Sequence, residues 1–427
     1  MQPLNAKLVG ILKPTADGYR NIVAALMLIS ISRLHQHFKF LNPLRPAMTL
    51  VLLAAFYAFA NPKMLSTALA TKTWAARMIA AIGIMACIST PFGISMGNSG
   101  TFILYEYSKT ILFAFLVLFA IRQASDLFQL VWAVVLAGGG LAYLSLFVFK
   151  IRAATSDGFA RIQNAYSYDS NDLGFVCVLC LVLALLAWQT SGPRGKTVAT
   201  VIMAGLGGAI ARTGSRGAFL ALVVVGAAML VLVRGVSVGK KVAFVGVVMV
   251  GLLWFAPAGY WEQMNTMSNP TEDYNWTSET GRKAVFKRGM AYMMQFPIAG
   301  LGIDNFERAE GMLSERAKAQ ALDPSLPGIK WSAAHNSFLQ AGAEMGIPGL
   351  VIMCIMVFSP IFICARLRKQ MKGWAEGDAE QRFLYFTALY MPVAFIGFGV
   401  GGFFVSFAYL DPHIRAGGVH RRASAFL

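Results

Sequence analysis

The stretch "GFVCVLCLVLALL", residues 174–186, contains no charged side chain and no proline. It lies in an apolar segment, residues 171–189, close to the ~20 residues that a helix needs to cross the hydrocarbon core of a bilayer. Backbone polar groups find no hydrogen-bond partner in lipid, so a single segment of this kind crosses a membrane as a helix. This stretch therefore predicts an α-helical membrane protein.

The composition extends this prediction to the whole chain. Of its 427 residues, 57% are hydrophobic and 13% are charged, whereas about 25% of a soluble domain is charged. We predict an all-α integral membrane protein, a single polytopic domain over residues 1–427 with about eleven transmembrane helices. The eleven apolar segments are 19–34, 46–61, 74–92, 101–121, 127–149, 171–189, 196–212, 215–234, 241–258, 336–365 and 382–409.

The formal net charge of +17 is explained by cytoplasmic loops, in which lysine and arginine accumulate. We therefore expect no nucleic-acid partner. Basic residues fall in every second loop if the N-terminus is cytoplasmic, and loop 259–335 is then extracytoplasmic. That loop contains nine of the twenty acidic residues, as expected of a translocated segment. Loop 150–171 and the turn at 211–219 lie on the same side in this topology.

Metal and redox chemistry have little support in the sequence. Cys177 and Cys180 form a C-x-x-C pair, but they lie within the apolar segment 171–189 and have no partner ligands nearby in the sequence. Small buried hydrophobic residues are the favoured interpretation, with a metal or redox site as the alternative. The outer loops carry neither H-E-x-x-H nor D-x-D. We predict no metal and no cofactor.

The turn "TGSR", residues 213–216, is the first candidate for a binding site. Gly214 can adopt the positive φ that a tight turn needs, and Ser215 is a good N-cap. Arg216 then begins a helix whose N-terminus carries free N–H groups and positive charge, an arrangement that suits an anion. Arg212 is a further candidate, although binding of lipid headgroups is the favoured interpretation for its side chain.

The long loop contributes the second candidate in "SETGRKAVFKRGMAYMMQFPIAGLGIDNF". Its apolar residues share one helical stripe, which predicts an amphipathic helix at the membrane interface that ends at Pro297. Thr277 and Ser278 are the expected caps. Arg282, near the helix start, is the second candidate anion ligand, and Arg288 is a further one. The stripe and the solvated charged positions are Val285, Gly289, Tyr292, Met293 and Phe296, and Lys283 and Lys287.

The third candidate is the histidine of "HNSFL". We expect Ser332 to cap the tenth span, which would place His335 in its first turn, with Asn336 as a further candidate beside it. A helix N-terminus disfavours the protonated imidazole, so we expect a neutral ring that can accept a proton. A base beside a phosphate cradle suggests transfer from a phosphorylated donor to a hydroxyl. The alternative is that His335 only hydrogen-bonds the loop.

Two other polar groups have simpler interpretations. Glu106 and Lys109, three residues apart, are expected to pair with each other. Asp169, Asn171 and Asp172 either cap the sixth span or contribute to the outer site, and the sequence leaves both possibilities open.

Three motifs together resemble the O-antigen ligase and Wzy polymerase family, in order and spacing, over about 160 residues. They are "TGSRGAFLAL", the long-loop stretch quoted above and "AHNSFLQAGAEMGIPGL". The closest similarity is to the branch of O-glycosylation ligases associated with exosortase systems. This resemblance implies a multi-pass protein of the bacterial inner membrane whose active site faces the periplasm. Its members usually have one more span, whereas this chain ends in "DPHIRAGGVHRRASAFL", which departs from that pattern.

The resemblance also implies an activity. It is a metal-independent, inverting transfer of a glycan from an undecaprenyl-diphosphate-linked oligosaccharide or polysaccharide to a glycan, lipid or protein acceptor, surrounded by membrane lipids. By motif, Arg216 and Arg282 would bind the donor diphosphate, and His335 would activate the acceptor hydroxyl. A polysaccharide polymerase is the alternative within the same chemistry. A transporter or flippase is the alternative from another class, and broken helices deep in the bundle would favour it.

Overall fold

In the computed structural model, each of the eleven apolar segments coincides with a helix, and the long loop adds another. The structure describes residues 17–61, 72–152, 160–162, 165–233, 235–269, 274–279, 281–326 and 331–408. The twelve principal helices are α1 (Asp17–Ser32), α2 (Pro46–Ala60), α3 (Trp74–Phe92), α4 (Met96–Ala120), α5 (Ala124–Val148), α6 (Ser170–Thr190), α7 (Pro193–Thr213), α8 (Arg216–Leu232), α9 (Val238–Phe255), α10 (Arg282–Gln295), α11 (Ser337–Gln370) and α12 (Ala379–Gly401).

Shorter elements connect these helices. Two strands, β1 (Ile151–Arg152) and β2 (Arg161–Ile162), form an antiparallel pair between α5 and α6. Single π-helical turns lie at Ile103–Tyr107 within α4 and at Leu144–Val148 at the end of α5. The remaining short helices are Leu34–His37, Lys39–Leu44, Tyr260–Asn265, Thr266–Ser268, Tyr274–Thr277, Phe306–Met312, Glu315–Leu322 and Trp374–Glu376.

Length and composition allow eight helices of the described chain to cross a bilayer, namely α2 together with the preceding helix Lys39–Leu44, α3 to α6, α9, α11 and α12. Helix α8 is apolar but shorter, and α1 and α7 do not meet the same criterion. The protein is therefore a multi-pass, all-α membrane protein, and the count of eleven spans remains a prediction. The Glu106–Lys109 pair within α4 is present, with 3.3 Å between its charged atoms.

Helix α6, which contains the stretch quoted at the outset, lies at the centre of the main core. Leu173, Cys177 and Leu181 are fully buried, and they pack with residues of α5, α7, α8 and α12. A Cβ atom added at Gly138 of α5 would lie 2.8 Å from the Cβ of Cys180. Cys180 therefore fills a close helix–helix contact in the way that a small apolar side chain does, and Cys177 is fully buried in the same core.

Helix α11 is not the single continuous span that the apolar pattern suggests. Gly346 has φ 71° and ψ −174°, so the helix breaks there, two residues before Pro348. Part of the long loop enters the break, where the Ile347 N–H donates to Pro297 O over 2.8 Å and the Leu301 N–H donates to Ala343 O over 2.8 Å. The broken backbone is thus satisfied by the protein's own chain.

The last apolar segment, predicted over residues 382–409, is helical only as far as Gly401. Consecutive glycines, Gly401 and Gly402, weaken the helix at this point. Residues 402–407, which we call the strap, then run beside the start of α11. The Ser337 N–H donates to Gly402 O over 2.7 Å, and the Ser337 hydroxyl donates to Val405 O over 2.8 Å. The atypical C-terminal sequence after residue 408 lies outside the described residues.

The predicted apolar stripe of α10 is confirmed. Val285, Gly289, Tyr292 and Met293 are buried, and Gly289 permits a close approach to Leu339 of α11. The helix ends at Gln295, two residues before Pro297, as the sequence predicts. The predicted caps were wrong, because α10 begins after Gly281, three residues beyond Ser278.

Candidate functional site

The turn between α7 and α8 has the predicted local structure. Gly214 has φ 58°, and the Ser215 hydroxyl accepts the Ala218 N–H over 3.2 Å as the N-cap of α8. The same hydroxyl donates to Asn171 Oδ1 over 2.9 Å. The turn is therefore fixed from α6, and it presents Arg216 as the first residue of α8.

Arg216 faces the beginning of the long loop. Its Nη1 donates to the Thr266 hydroxyl over 2.9 Å, and Thr266 in turn donates to Gln263 O over 2.7 Å. Gln263 Nε2 donates to Gly214 O over 2.7 Å. These bonds form a ring that connects the turn to the loop, so the guanidinium is held beside the N-terminus of α8.

Two further arginines concentrate positive charge beside this turn. Arg152 and Arg161 are directly paired across β1 and β2, and Arg161 Nε donates to the Ser170 hydroxyl over 3.2 Å. Burial lowers the pKa of Arg161, Asp169 raises it, and the positive charges of Arg152 and Arg216 lower it further. Like charges opposite each other in a strand pair are destabilising, so this arrangement favours an anion.

Arg282 is the first residue of α10, and it meets the strap. Its Cζ lies 6.0 Å from the centroid of the Phe404 ring, within range of a cation–π contact. On its other side Phe404 packs against α8 beside Arg216. A Cβ atom added at Gly217 would lie 2.6 Å from the Cβ of Phe404. Phe404 therefore lies between the segments that carry the two candidate anion ligands.

His335 lies outside α11, and its predicted position in the first turn was wrong. The N-cap is Asn336, whose Oδ1 accepts the N–H groups of Phe338 and Leu339, each over 3.0 Å. Ser332, predicted as the cap, is buried in the preceding segment. His335 has φ 47°, an unusual value for a residue with a side chain. Its N–H donates to the Ser406 hydroxyl of the strap over 2.8 Å.

The further candidates have structural partners. Arg212 donates to Leu146 O and Phe149 O, so it satisfies carbonyl groups at the end of α5. Asn336 is buried and uses its amide oxygen as the cap of α11. Asp169 caps α6 by accepting the Asp172 N–H over 2.7 Å. Asn171 accepts the Ser215 hydroxyl, so the start of α6 also holds the turn that carries Arg216.

Arg288 forms an ion pair inside the long loop. Its Nη2 lies 2.6 Å from Glu310 Oε2, and the Glu310 side chain is 2% exposed. The Tyr292 hydroxyl donates to Glu310 Oε1 over 3.0 Å. Hydrogen bonds to Glu310 raise the pKa of Arg288. Arg288 therefore joins α10 to the helix Phe306–Met312, on the side of α10 that faces the rest of the loop.

The structure thus brings Arg216, Arg282 and His335 together around the strap, and it engages Arg212 and Arg288 elsewhere. Four residues around the site were not predicted from the sequence: Arg161, Thr266, Phe404 and Ser406. Arg161 did carry a signal, because the predicted topology puts its loop on the outer side and basic residues are usually retained on the cytoplasmic side. Phe404 and Ser406 carry no such signal, since they lie in a segment that is apolar enough to be assigned to a span. Among the described residues, no group of three or more His, Cys, Asp or Glu side chains could hold a metal ion.

Comparison with known families identifies part of the chain. Residues 198–354 match the family model described as O-Antigen ligase. The match includes Arg216, Arg282 and His335, whereas the β1–β2 pair and the strap lie outside it. No curated protein matches the chain.

Proposed function

Residues 198–354 match the O-Antigen ligase family model, and from this similarity to enzymes of ligase- and polymerase-type glycan transfer we propose a specific reaction. The protein transfers a glycan from an undecaprenyl-diphosphate-linked donor to an acceptor hydroxyl on the periplasmic side of a bacterial inner membrane. One observation carries the proposal. Two arginines at helix N-termini and a histidine in a strained loop meet at the same strap, although they are far apart in the chain.

In the proposed reaction, Arg216 and Arg282 bind the donor diphosphate. Guanidinium groups form two parallel hydrogen bonds to phosphate oxygens, and the N-termini of α8 and α10 add N–H groups and positive potential. Arg161 adds positive charge beside Arg216. These groups stabilise the charge that develops on the diphosphate as it leaves.

His335 acts as the general base. The acceptor oxygen attacks C1 of the donor sugar from the face opposite the diphosphate, and its proton passes to the imidazole. The bond between C1 and the diphosphate oxygen breaks, the electron pair leaves with the diphosphate, and the configuration at C1 inverts. The imidazolium then releases its proton to solvent. Each proton and electron pair is accounted for without a metal or cofactor.

The decisive experiment is turnover by the purified protein in lipid nanodiscs. The donor is an undecaprenyl-diphosphate-linked oligosaccharide, and the acceptors are a lipid-linked core glycan, a serine- or threonine-containing peptide, and a second molecule of the donor. Transfer to one of the first two indicates a ligase, and elongation of the donor indicates a polymerase. In sealed proteoliposomes, movement of intact donor across the bilayer without product would indicate a flippase and overturn the proposal.

The transporter alternative receives no support from the break in α11. A broken helix in a transporter leaves backbone groups available for substrate or coupling ions. At Gly346 the neighbouring N–H and carbonyl groups are used by residues 297 to 301 of the protein's own loop. This break therefore fixes the long loop onto α11, and with it the position of α10.

We expect Arg216→Lys to weaken donor binding. Lysine provides a point charge, whereas the guanidinium offers a planar fork that engages two phosphate oxygens, so the donor Kd should rise about tenfold or more. Binding is measured with labelled donor in nanodiscs. Arg316→Lys, in the helix Glu315–Leu322 of the long loop, is the matched control and should bind donor like the wild type. An unchanged Kd for Arg216→Lys would remove this arginine from the donor site.

We also expect transfer to continue after removal of divalent metal. Arginines and helix N-termini supply the positive charge that a diphosphate needs, so no bound ion is required for the proposed step. The initial rate is measured after dialysis against a chelator, and then with added Mg²⁺ or Mn²⁺. Loss of turnover in the chelator, followed by recovery with either ion, would contradict metal independence.

A further inference from the structure

We propose that the strap, residues 402–407, positions the donor ligand and the base of the reaction relative to each other. This inference rests on the proposed function and extends it to a segment outside the family match. Phe404 would act on donor binding through Arg282, and Ser406 would act on proton transfer through His335. Both are positioning residues, since each acts through another side chain or its backbone.

The strap is firmly fixed at the start of α11. Besides the two bonds to Gly402 and Val405, the Ser337 hydroxyl accepts the Phe407 N–H over 2.8 Å. Ser337 is fully buried, so these bonds are shielded from water and hold the strap in one register. The carbonyl groups at the end of α12 and the N–H groups at the start of α11 are thereby joined.

Ser406 contacts His335, the residue whose backbone has a positive φ. A positive φ at a residue that carries a side chain costs free energy and persists only where its surroundings impose it. The hydrogen bond from the His335 N–H to the Ser406 hydroxyl supports this conformation from outside the local chain. Ser406 is itself 5% exposed, so the hydroxyl is confined. Loss of this bond would let the imidazole move away from the acceptor.

Phe404 contacts the two segments that carry the candidate anion ligands, the starts of α8 and α10. Its ring lies under the Arg282 guanidinium, and its Cβ packs on Gly217, the residue that follows Arg216. A single side chain therefore sets the separation between α8 and α10 at their N-termini. Since two phosphate groups must reach both arginines at once, this separation determines how well a diphosphate fits.

Substitutions at Ser406 and at Phe404 are expected to change different kinetic parameters. Ser406→Ala should lower kcat roughly 10-fold to 100-fold, because small misplacement of a reacting group has effects of this size, and should leave the donor KM within about twofold. Ser406→Thr keeps the hydroxyl and should restore kcat. Phe404→Leu keeps apolar volume but removes the aromatic face, so the donor KM should rise about fivefold with kcat nearly unchanged.

Two controls separate positioning from general packing. Ser89→Ala removes a fully buried hydroxyl that donates to Ala86 O within α3, and Phe383→Leu removes a buried ring of α12 that packs on Phe128. Each should keep both kinetic parameters. If Ser406→Ala and Phe404→Leu match these controls, or if both lower thermal stability without splitting kcat from KM, the strap is only structural and the inference is wrong.

A second measurement is independent of turnover. Diethyl pyrocarbonate modifies exposed neutral imidazole, and the rate at His335 can be followed by mass spectrometry of the peptide. Ser406→Ala should change this rate severalfold, whereas Ser89→Ala should leave it unchanged. An unchanged rate at His335 in Ser406→Ala would overturn the inference. Absence of transfer by the wild type would instead count against the proposed function, so the two failures are distinguishable.

Discussion

Replacement of His335 by alanine is expected to abolish glycan transfer while donor binding is retained. A general base contributes roughly 10²-fold to 10⁴-fold to the rate, and it does not hold the donor. The prediction is therefore a loss of kcat of this size with a donor Kd within about twofold of the wild type. Both quantities are measured in the same nanodisc preparation, at matched protein concentration.

The matched control is His37→Ala. His37 is also half-buried, and its Nδ1 lies 3.2 Å from the Tyr166 hydroxyl, in a contact that involves none of the proposed site residues. It should transfer at the wild-type rate. If His335→Ala retained near-wild-type turnover, the histidine would serve only the structure of the loop, and another group would have to accept the proton. The similarity to the O-Antigen ligase family model over residues 198–354 does not depend on that outcome.

The second large effect is expected on stability, at Arg288. Its partner Glu310 is 2% exposed in the side chain, so Arg288→Ala leaves a buried carboxylate without its ion pair. A change of this kind costs about 3 kcal/mol or more in the free energy of unfolding. We expect a lower thermal midpoint in detergent and faster proteolysis within the long loop. Lys287→Ala, which changes the exposed neighbouring residue, should lie within about 0.5 kcal/mol of the wild type.

A double replacement tests the cause of this loss. Arg288→Met with Glu310→Leu replaces both charged side chains by apolar side chains of similar volume. Such exchanges of a buried ion pair are often neutral for stability. We expect the double variant to be more stable than Arg288→Ala alone. If Arg288→Ala instead folded normally and lost affinity for the donor, then Arg288 would be a substrate ligand, as the sequence alone had allowed.

The local features of the site were predictable because they depend on neighbouring residues. Gly214, Ser215 and Arg216 follow one another, and a turn, an N-cap and a helix start are determined by backbone conformation over a few residues. The stripe of α10 was equally predictable, since helical periodicity places its buried residues on one face. His335 was placed wrongly for a related reason. Ser332 and Asn336 are both good caps, and only the contacts of the folded chain select Asn336.

The partners of the charged side chains could not be predicted from the sequence. Arg216 and Arg288 look alike in the sequence, as basic residues of segments that the predicted topology places on the outer side. Their difference comes from Glu310, which is 22 residues from Arg288 in the chain and becomes its partner when the helix Phe306–Met312 packs beside α10. A guanidinium pairs with whichever carboxylate the fold brings to it, and sequence separation does not determine that distance.

By itself, the sequence determined that this protein is a bundle of apolar helices, because lipid permits no other way to satisfy the backbone of such segments. It also supplied the three residues of the proposed site. Only the tertiary structure decided that they meet, and it did so through the strap. Phe404 is apolar and Ser406 is small, as residues of membrane spans often are, so the sequence placed both in a predicted helix. The hydrogen bonds from the strap to Ser337 and His335 form only after α11 and α12 have packed. Pairing with α11 then satisfies backbone groups of the strap that a longer α12 would otherwise have satisfied.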